Sequence, residues 1–235
     1  MLEKIKNKYY HYRHIFFWKV GHYKSTINRN SIIKDYLKNN KIRKLQLACG
    51  EYKLKKWLNT DLFGGKNLVS LNLNKKFPIP TNSFNYVFLE HTIEHFNINK
   101  GLKILEESRR VLKQGGKIRI ATPNLSFLIN IYKKNKTPVE SEYLKWHFSV
   151  FPNKMDKNKA ASALLINKFV RSWGHEFIYD PESLTMLLKR AGFKNIKQFK
   201  PGKSSDKHLR GIEKHWKSFN KKFNNLETFV LEAQK

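Results

Sequence analysis

From residue 44 onward, hydrophobic and polar positions change period along the chain, from near two, to about 3.6, and back. Lys44-Leu45-Gln46-Leu47-Ala48 predicts a short strand running into Cys49-Gly50, where glycine permits a tight turn and close backbone approach to a ligand. Trp57 to Leu62 predicts a second strand with Asp61 near its end, Leu68 to Leu73 a third, and Phe84 to Leu89 a fourth. The fourth runs into Glu90-His91-Thr92-Ile93-Glu94-His95. Residues 100–113 have helical spacing, with Leu102, Leu105, Val111 and Leu112 on one side, and Gln114-Gly115-Gly116 reads as the turn that caps this helix. Lys117 to Thr122 alternates as a fifth strand, which Pro123 ends.

Residues 124–175 carry no clean strand signal and include a Lys/Asn-rich run from Asn153 to Lys159, so they are expected to form an inserted helical cap. A helix follows at Pro181 to Ala191, then the turn Gly192-Phe193, a strand at Asn195 to Phe199 and a last strand at Glu227 to Ala233. Strands alternating with helices predict a mainly parallel sheet with helical crossovers, an α/β fold. Residues 1–40 read as basic, aromatic-rich helices, with Tyr9, Tyr10, Phe16, Phe17 and Trp18 among Lys6, Lys8, Arg13 and Lys19. The expected organisation is this extension followed by one domain over 41–235.

Composition adds limits. Apolar residues at 40% and aromatics at 14% suit a folded globular chain, and 235 residues suffice for one α/β domain. A net charge of +29 invites a nucleic-acid or anionic-membrane partner. However, 38 of the 47 basic residues are Lys, with Asn and Ile also abundant, as an AT-rich genome alone would impose. Both readings of the charge stay open. Cys49 is the only cysteine, so neither an intrachain disulfide nor a cysteine-based metal site is expected, and a cytoplasmic location follows. Within residues 1–24 the longest apolar run, Ile15 to Trp18, is too short to span a bilayer, although the segment suits peripheral contact with an anionic membrane. Alternatively it packs as a lid on the domain.

In open α/β sheets ligands bind beyond the carboxyl ends of the strands. A glycine turn after the first strand and an acidic residue after the second fit a nucleoside-containing cofactor. Asp61 lies only 11 residues after Gly50 and no GxGxxG is present, which disfavours a nicotinamide cofactor. Six fragments between Leu45 and Pro123 then carry a specific resemblance: Leu47-Ala48-Cys49-Gly50, Lys56-Trp57-Leu58-Asn59-Thr60-Asp61, Phe77-Pro78-Ile79-Pro80, Ser83-Phe84-Asn85-Tyr86-Val87, Glu90 to Phe96, and Arg110 to Gly116. In this order they resemble the class I S-adenosylmethionine-dependent methyltransferases of methyltransferase-type-11-like kind, and most closely a group associated with surface-glycan synthesis.

That resemblance implies a Rossmann-like, seven-stranded, mostly parallel sheet with its last strand antiparallel. It implies S-adenosylmethionine as cofactor and S-adenosylhomocysteine as product. The cofactor set it implies is Ala48, Cys49, Gly50, Asp61, Leu62, Asn72, Leu73, Glu90 and His91, with Asp61 on the ribose and Asn72 and Leu73 beside the adenine. The chain departs from the pattern where Ala48 replaces glycine, Asn72 and Asn85 replace aspartate, and Gln114 replaces proline.

Methyl transfer to oxygen requires an aligned acceptor and removal of its proton, a task suited to histidine. His91 and His175 are the candidate catalytic residues; His95 and His147 are the other histidines weighed. Ser172 to Asp180 places Trp173 and Tyr179 around His175, as a sugar site would, with core anchoring as the alternative reading. Asn124 and His147 complete the expected substrate contacts, and no metal site is expected. The leading function is therefore O-methylation of a sugar hydroxyl on a surface or virion glycan. Methylation of RNA and a non-catalytic scaffold are the alternatives; against the former, no base-flipping motif or RNA-binding module is visible.

Overall fold

The computed structural model describes residues 28–65, 67–150, 157–218 and 220–235. Helix α1 (Arg29–Asn39) precedes β1 (Lys44–Leu47), β2 (Leu58–Asp61), β3 (Val69–Ser70) and β4 (Phe84–Glu90). A one-turn 3₁₀ segment at Ile93–His95 leads to α2 (Ile98–Val111) and β5 (Leu112–Pro123). Three helices follow, α3 (Leu125–Tyr132), α4 (Pro138–Val150) and α5 (Lys157–Arg171), then α6 (Pro181–Arg190), β6 (Lys194–Phe199), a 3₁₀ turn at His215–Ser218, α7 (Lys221–Glu227) and β7 (Thr228–Gln234).

The strands form one sheet in the order β3-β2-β1-β4-β5-β7-β6. Pairings from β3 through β5 are parallel, and β7 runs antiparallel to both of its neighbours. This is the α/β, seven-stranded, Rossmann-like fold with a reversed last strand. Burial on both faces explains the apolar runs of β1 and β4, where Leu45, Leu47, Val87, Phe88 and Leu89 are inaccessible. Helix α2 buries Ile104, Leu105, Ser108 and Val111 at helical spacing. Gly101 completes that face: a Cβ there would sit 2.6 Å from the Tyr179 hydroxyl, so only glycine admits this approach.

Asp180 caps α6 with a reciprocal bond to Ser183, and Pro181 stands in the first turn, where its missing N–H costs nothing.

Two expectations change. The Gln114-Gly115-Gly116 turn does not cap α2: the helix ends at Val111 and Leu112 is already extended. Those residues instead form an irregular opening of β5, where Phe84 opposes Leu112 but Tyr86 opposes Lys117, and Gly115 takes φ +74°. Across the expected boundary at residue 40, Ile33 of α1 joins the main core and Tyr36 stacks on Phe84 at 6.0 Å, as the lid reading of this segment has it. The proposed membrane contact of residues 1–24 lies outside the described residues. Finally, a helix at Lys221–Glu227 precedes the last strand.

Helices α3, α4 and α5 have a core of their own. Phe127, Leu128, Ile131, Tyr143, Leu144, Phe148, Leu165 and Phe169 pack with Phe223 of α7, apart from the sheet core. Among the described residues no helix is long and apolar enough to cross a membrane.

Candidate functional site

The turn after β1 carries two unusual backbone conformations, Ala48 at φ +46° and Gly50 at φ +52°. For Ala48 this left-handed geometry is strained, as Cβ crowds the following carbonyl. The strain bends the chain so that main-chain groups border a cavity, and the space beside the Gly50 Cα is open. Asp61 ties this turn to β2: its Oδ2 accepts from the Gly50 N–H at 2.8 Å and its Oδ1 from the Leu62 N–H at 2.7 Å. Burial, then the charge of Asp61, pushes the Cys49 thiol up to about 11, so it stays protonated and unreactive at neutral pH.

The cavity, about 510 Å³, falls in the usual small-molecule range of roughly 300–1,000 Å³. It begins at Gln46 and the 48–52 turn, passes Glu90 and His91 at the end of β4, and ends against the cap. Its far wall is aromatic and titratable: Tyr143, Trp146 and His147 from α4, Phe169 from α5, Trp173 and His175 from the loop beyond, and His215, Ser218 and Glu227 from the C-terminal segment.

Glu90 holds the last of these segments in place. Its carboxylate accepts from the backbone N–H groups of Lys214 and His215 at 2.9–3.0 Å, and burial raises its pKa. Deeper anchoring comes from Arg119 of β5, fully buried, which donates to Glu213, to the Lys203 carbonyl and to Glu232. His215 is thereby stacked on His91, ring centroids 3.8 Å apart. Burial, then the neighbouring His91 charge, brings His215 down to about 3, so it is neutral at pH 7.

His91 is shifted the other way. Burial opposes its charge, yet the hydrogen bond and charge of Glu94, with Glu227 and Glu90, hold its pKa above the usual histidine value. Its Nδ1 lies 3.4 Å from Glu94 Oε1 and its Nε2 3.1 Å from the Thr228 hydroxyl. With both nitrogens engaged, His91 is not placed to take a proton from an acceptor, contrary to the catalytic role expected of it.

Glu227 is the site residue that the strand pattern concealed. It reads as the first position of the last strand, but it ends α7, lines the cavity and accepts a hydrogen bond from the Tyr143 hydroxyl. Burial raises its carboxyl to about 6, against the lowering effects of His91 and Tyr143. His215, in the unassigned stretch after β6, was equally invisible. Tyr143 had a signal: it shares α4 with Trp146 and His147 at one-turn spacing.

The other expected residues divide. Ala48, Cys49, Gly50, Glu90, His91, His147, Trp173 and His175 line the cavity, whereas Asp61, Leu62, Asn72, Leu73, Asn124 and Tyr179 are not among its lining residues. Tyr179 is fully buried in the sheet core with no hydrogen-bond partner for its hydroxyl among the described residues, so the core-anchor reading replaces the sugar contact. Asn124 caps α3 through its side chain, bonded to the Ser126 N–H. The Asn72 amide oxygen accepts from the Asn74 N–H at 2.9 Å, so an adenine contact through that oxygen competes with its own turn. His147 is almost fully buried; burial, then Lys168, brings it down to about 4.

No metal is expected from sequence spacing, yet two groups of side chains from separate segments come within reach of a single ion. They are His91, His215 and Glu227, and Glu94, His95 and His175. In the first, both His91 nitrogens are engaged and the two rings are stacked, so their lone pairs run side by side rather than converging.

A sheet in this order with a reversed seventh strand, and a cavity where the β1 turn meets the end of β4, are the Rossmann-like arrangement that the sequence resemblance implies. Residues 45–120, about a third of the chain, match the family model described as a methyltransferase domain. No curated protein matches the chain. Similar solved structures include an S-adenosylmethionine-dependent methyltransferase from Archaeoglobus fulgidus, 15% identical over 88% of this chain and 92% of that one, TM-score 0.49. Another, from Thermotoga maritima, is described as a possible histamine N-methyltransferase, 15% identical over the full length of both chains, TM-score 0.46. A third is phosphoethanolamine N-methyltransferase 2 of Haemonchus contortus with S-adenosyl-L-methionine, 15% identical over 88% of this chain and 52% of that one, TM-score 0.44.

The residues fit this cofactor. The strained turn leaves open space beside Gly50, and the Asp61 carboxylate is held against it by the Gly50 N–H.

Proposed function

We propose that the enzyme methylates a hydroxyl group of a sugar, held in the cavity between the β1 turn and the cap. One observation carries this reading: the cavity that opens at Ala48 to Gly50 ends on aromatic rings, imidazoles and the Glu227 carboxyl. The cofactor supplies an activated methyl group on sulfur, so the protein's task is alignment and removal of one proton. Trp146 and Trp173 offer faces for the C–H surface of a sugar ring, and His95 and His175 offer ring nitrogens to its hydroxyls. Asp61 binds the ribose, and Glu90 holds the 214–215 backbone against the cavity.

Glu227 takes the hydroxyl proton, the role that sequence assigned to His175 and His91. Its carboxyl, raised to about 6, remains mainly ionised at neutral pH while being more basic than a solvated carboxylate. Tyr143 orients it through the phenol hydrogen bond. A cytoplasmic location, at or away from a membrane, belongs to this same reading, as does a surface glycan as the final destination of the sugar.

The test is methyl transfer from radiolabelled S-adenosylmethionine to a panel of monosaccharides, oligosaccharides, small amines and transfer RNA. Sugar-dependent transfer that falls by roughly 100-fold or more in Glu227→Gln, with cofactor affinity retained, is expected. Transfer only to amines or to RNA, or full activity in Glu227→Gln, contradicts the proposal.

A further inference from the structure

We propose that Glu94, His95 and His175 form a binding site for a divalent transition-metal ion at the acceptor end of the cavity. The ligand atoms of these three side chains lie within 4.8 Å of one another, and all three residues line the cavity. Two imidazole nitrogens and one carboxylate oxygen suit zinc or a neighbouring first-row ion, with coordination positions left open toward the cavity.

The backbone assembles the set. Glu94 and His95 belong to the 3₁₀ turn after β4, and the Glu94 carbonyl accepts from the N–H groups of both Glu176 and Phe177, which seats His175 beside them. To make this approach the chain passes through Trp173 at φ +58° and Gly174 at φ +77°. A Cβ on Gly174 would lie 3.7 Å from His95 Nδ1, so the loop runs close beside that ring. A left-handed tryptophan is a costly conformation, and such strain gathers at functional sites.

The side chains are prepared as ligands are. His175 Nδ1 lies 2.6 Å from the Phe169 carbonyl; donating there, it leaves Nε2 with its lone pair. A ring N–H given to a backbone carbonyl is the usual outer support of a metal-bound histidine. His95 and His175 meet nearly edge to face, centroids 4.9 Å apart, so their nitrogens can converge. Glu94 is completely buried: its Oε2 accepts from the Thr122 hydroxyl at 2.9 Å, while Oε1 has no hydrogen-bond partner beyond the 3.4 Å approach of His91 Nδ1. A metal ion at this point would take Oε1 over from its long ion pair with His91.

This inference deepens the sugar reading, since an ion there would bind acceptor oxygens through its open positions, with His175 a ligand and Glu227 the base. Metal binding itself is independent of that reading. The experiment uses the full chain, stripped with chelator and titrated with Co²⁺ and Zn²⁺ in the absence of cofactor and acceptor. Expected are the visible bands of low-coordinate Co²⁺, displaced by Zn²⁺. They should vanish in His95→Ala and in Glu94→Gln, with affinity down by more than about 100-fold, beyond what loss of an outer partner causes. His208→Ala, remote from the cavity, should leave them intact. His95→Ala is the principal variant because that ring makes no hydrogen bond among the described residues, and circular dichroism verifies its fold. Wild-type protein without the bands, or with bands equal to those of His95→Ala, overturns the site. A chain that binds Co²⁺ but transfers no methyl group defeats the sugar reading alone, and the converse defeats the metal site alone.

Discussion

At the residue scale, Ala48 and Glu227 each keep a locally unfavourable state where the cavity needs it. Ala48 at φ +46° occupies a position suited to glycine. Ala48→Gly should relieve about 1 kcal/mol of strain, raising the melting temperature by roughly 2–4 °C without loss of cofactor binding. A lower melting temperature would show that the turn is not strained. Glu227 is a carboxyl whose folded pKa is raised, to about 6 from 4.5. Its contribution to stability is therefore full below the unfolded pKa and is lost as pH rises through about 6. Glu227→Gln keeps an acceptor for Tyr143 and removes that penalty, so at pH 7–8 it should be more stable than wild type by about 1–2 kcal/mol while losing activity. For the same reason wild-type kcat should fall as pH drops below about 6, when the carboxyl can no longer accept a proton; a rate unchanged down to pH 5 would argue for another base.

At the element scale, the site depends on the stretch from Pro201 to Ser218, which has little regular structure. It is held by Arg119, whose guanidinium bonds Glu213 and Glu232 beneath it, and by the Glu90 carboxylate. Arg119→Met leaves two carboxylates buried without their cation, so unfolding in denaturant should show a loss of about 3–5 kcal/mol. A change below about 1 kcal/mol would mean that the loop is held by other contacts. This stretch also marks the limit of what the sequence reveals. Strands β1, β4 and β7 are legible because their burial writes apolar runs, and α2 and α6 because theirs writes a 3.6-residue stripe. Residues 200–220 carry no such period, since their positions are set by Arg119 and Glu90, far away in sequence. Helix α7 is equally hidden: seven residues make two turns, too few for a stripe to stand out. Gly115 and Gly116 were legible as a break but not as its kind, because a glycine pair suits both a helix end and an irregular strand.

At the scale of the whole molecule, the candidate site is the junction of two cores. The sheet core contributes the β1 turn and the end of β4, while the separate core of the cap and α7 contributes the aromatic wall. This explains which half of the site was readable. Cofactor-side residues lie next to strand ends and travel with the strand pattern. Acceptor-side residues such as Tyr143, His215 and Glu227 meet only after both cores form. Tyr179 shows the reverse error, an aromatic beside a histidine in sequence that faces the core. Net charge of +29 does not bear on this division, for the cavity gathers carboxylates and imidazoles rather than lysines. The central claim is that S-adenosylmethionine binds where the β1 turn meets β2, with Asp61 as ribose partner. Isothermal titration of S-adenosylmethionine into the full chain and into Asp61→Ala tests it most directly. One site per chain is predicted, with affinity reduced about tenfold or more in Asp61→Ala through loss of hydrogen bonds to a charged group. Absence of binding heat in the wild type, or equal affinity in the two proteins, would contradict it.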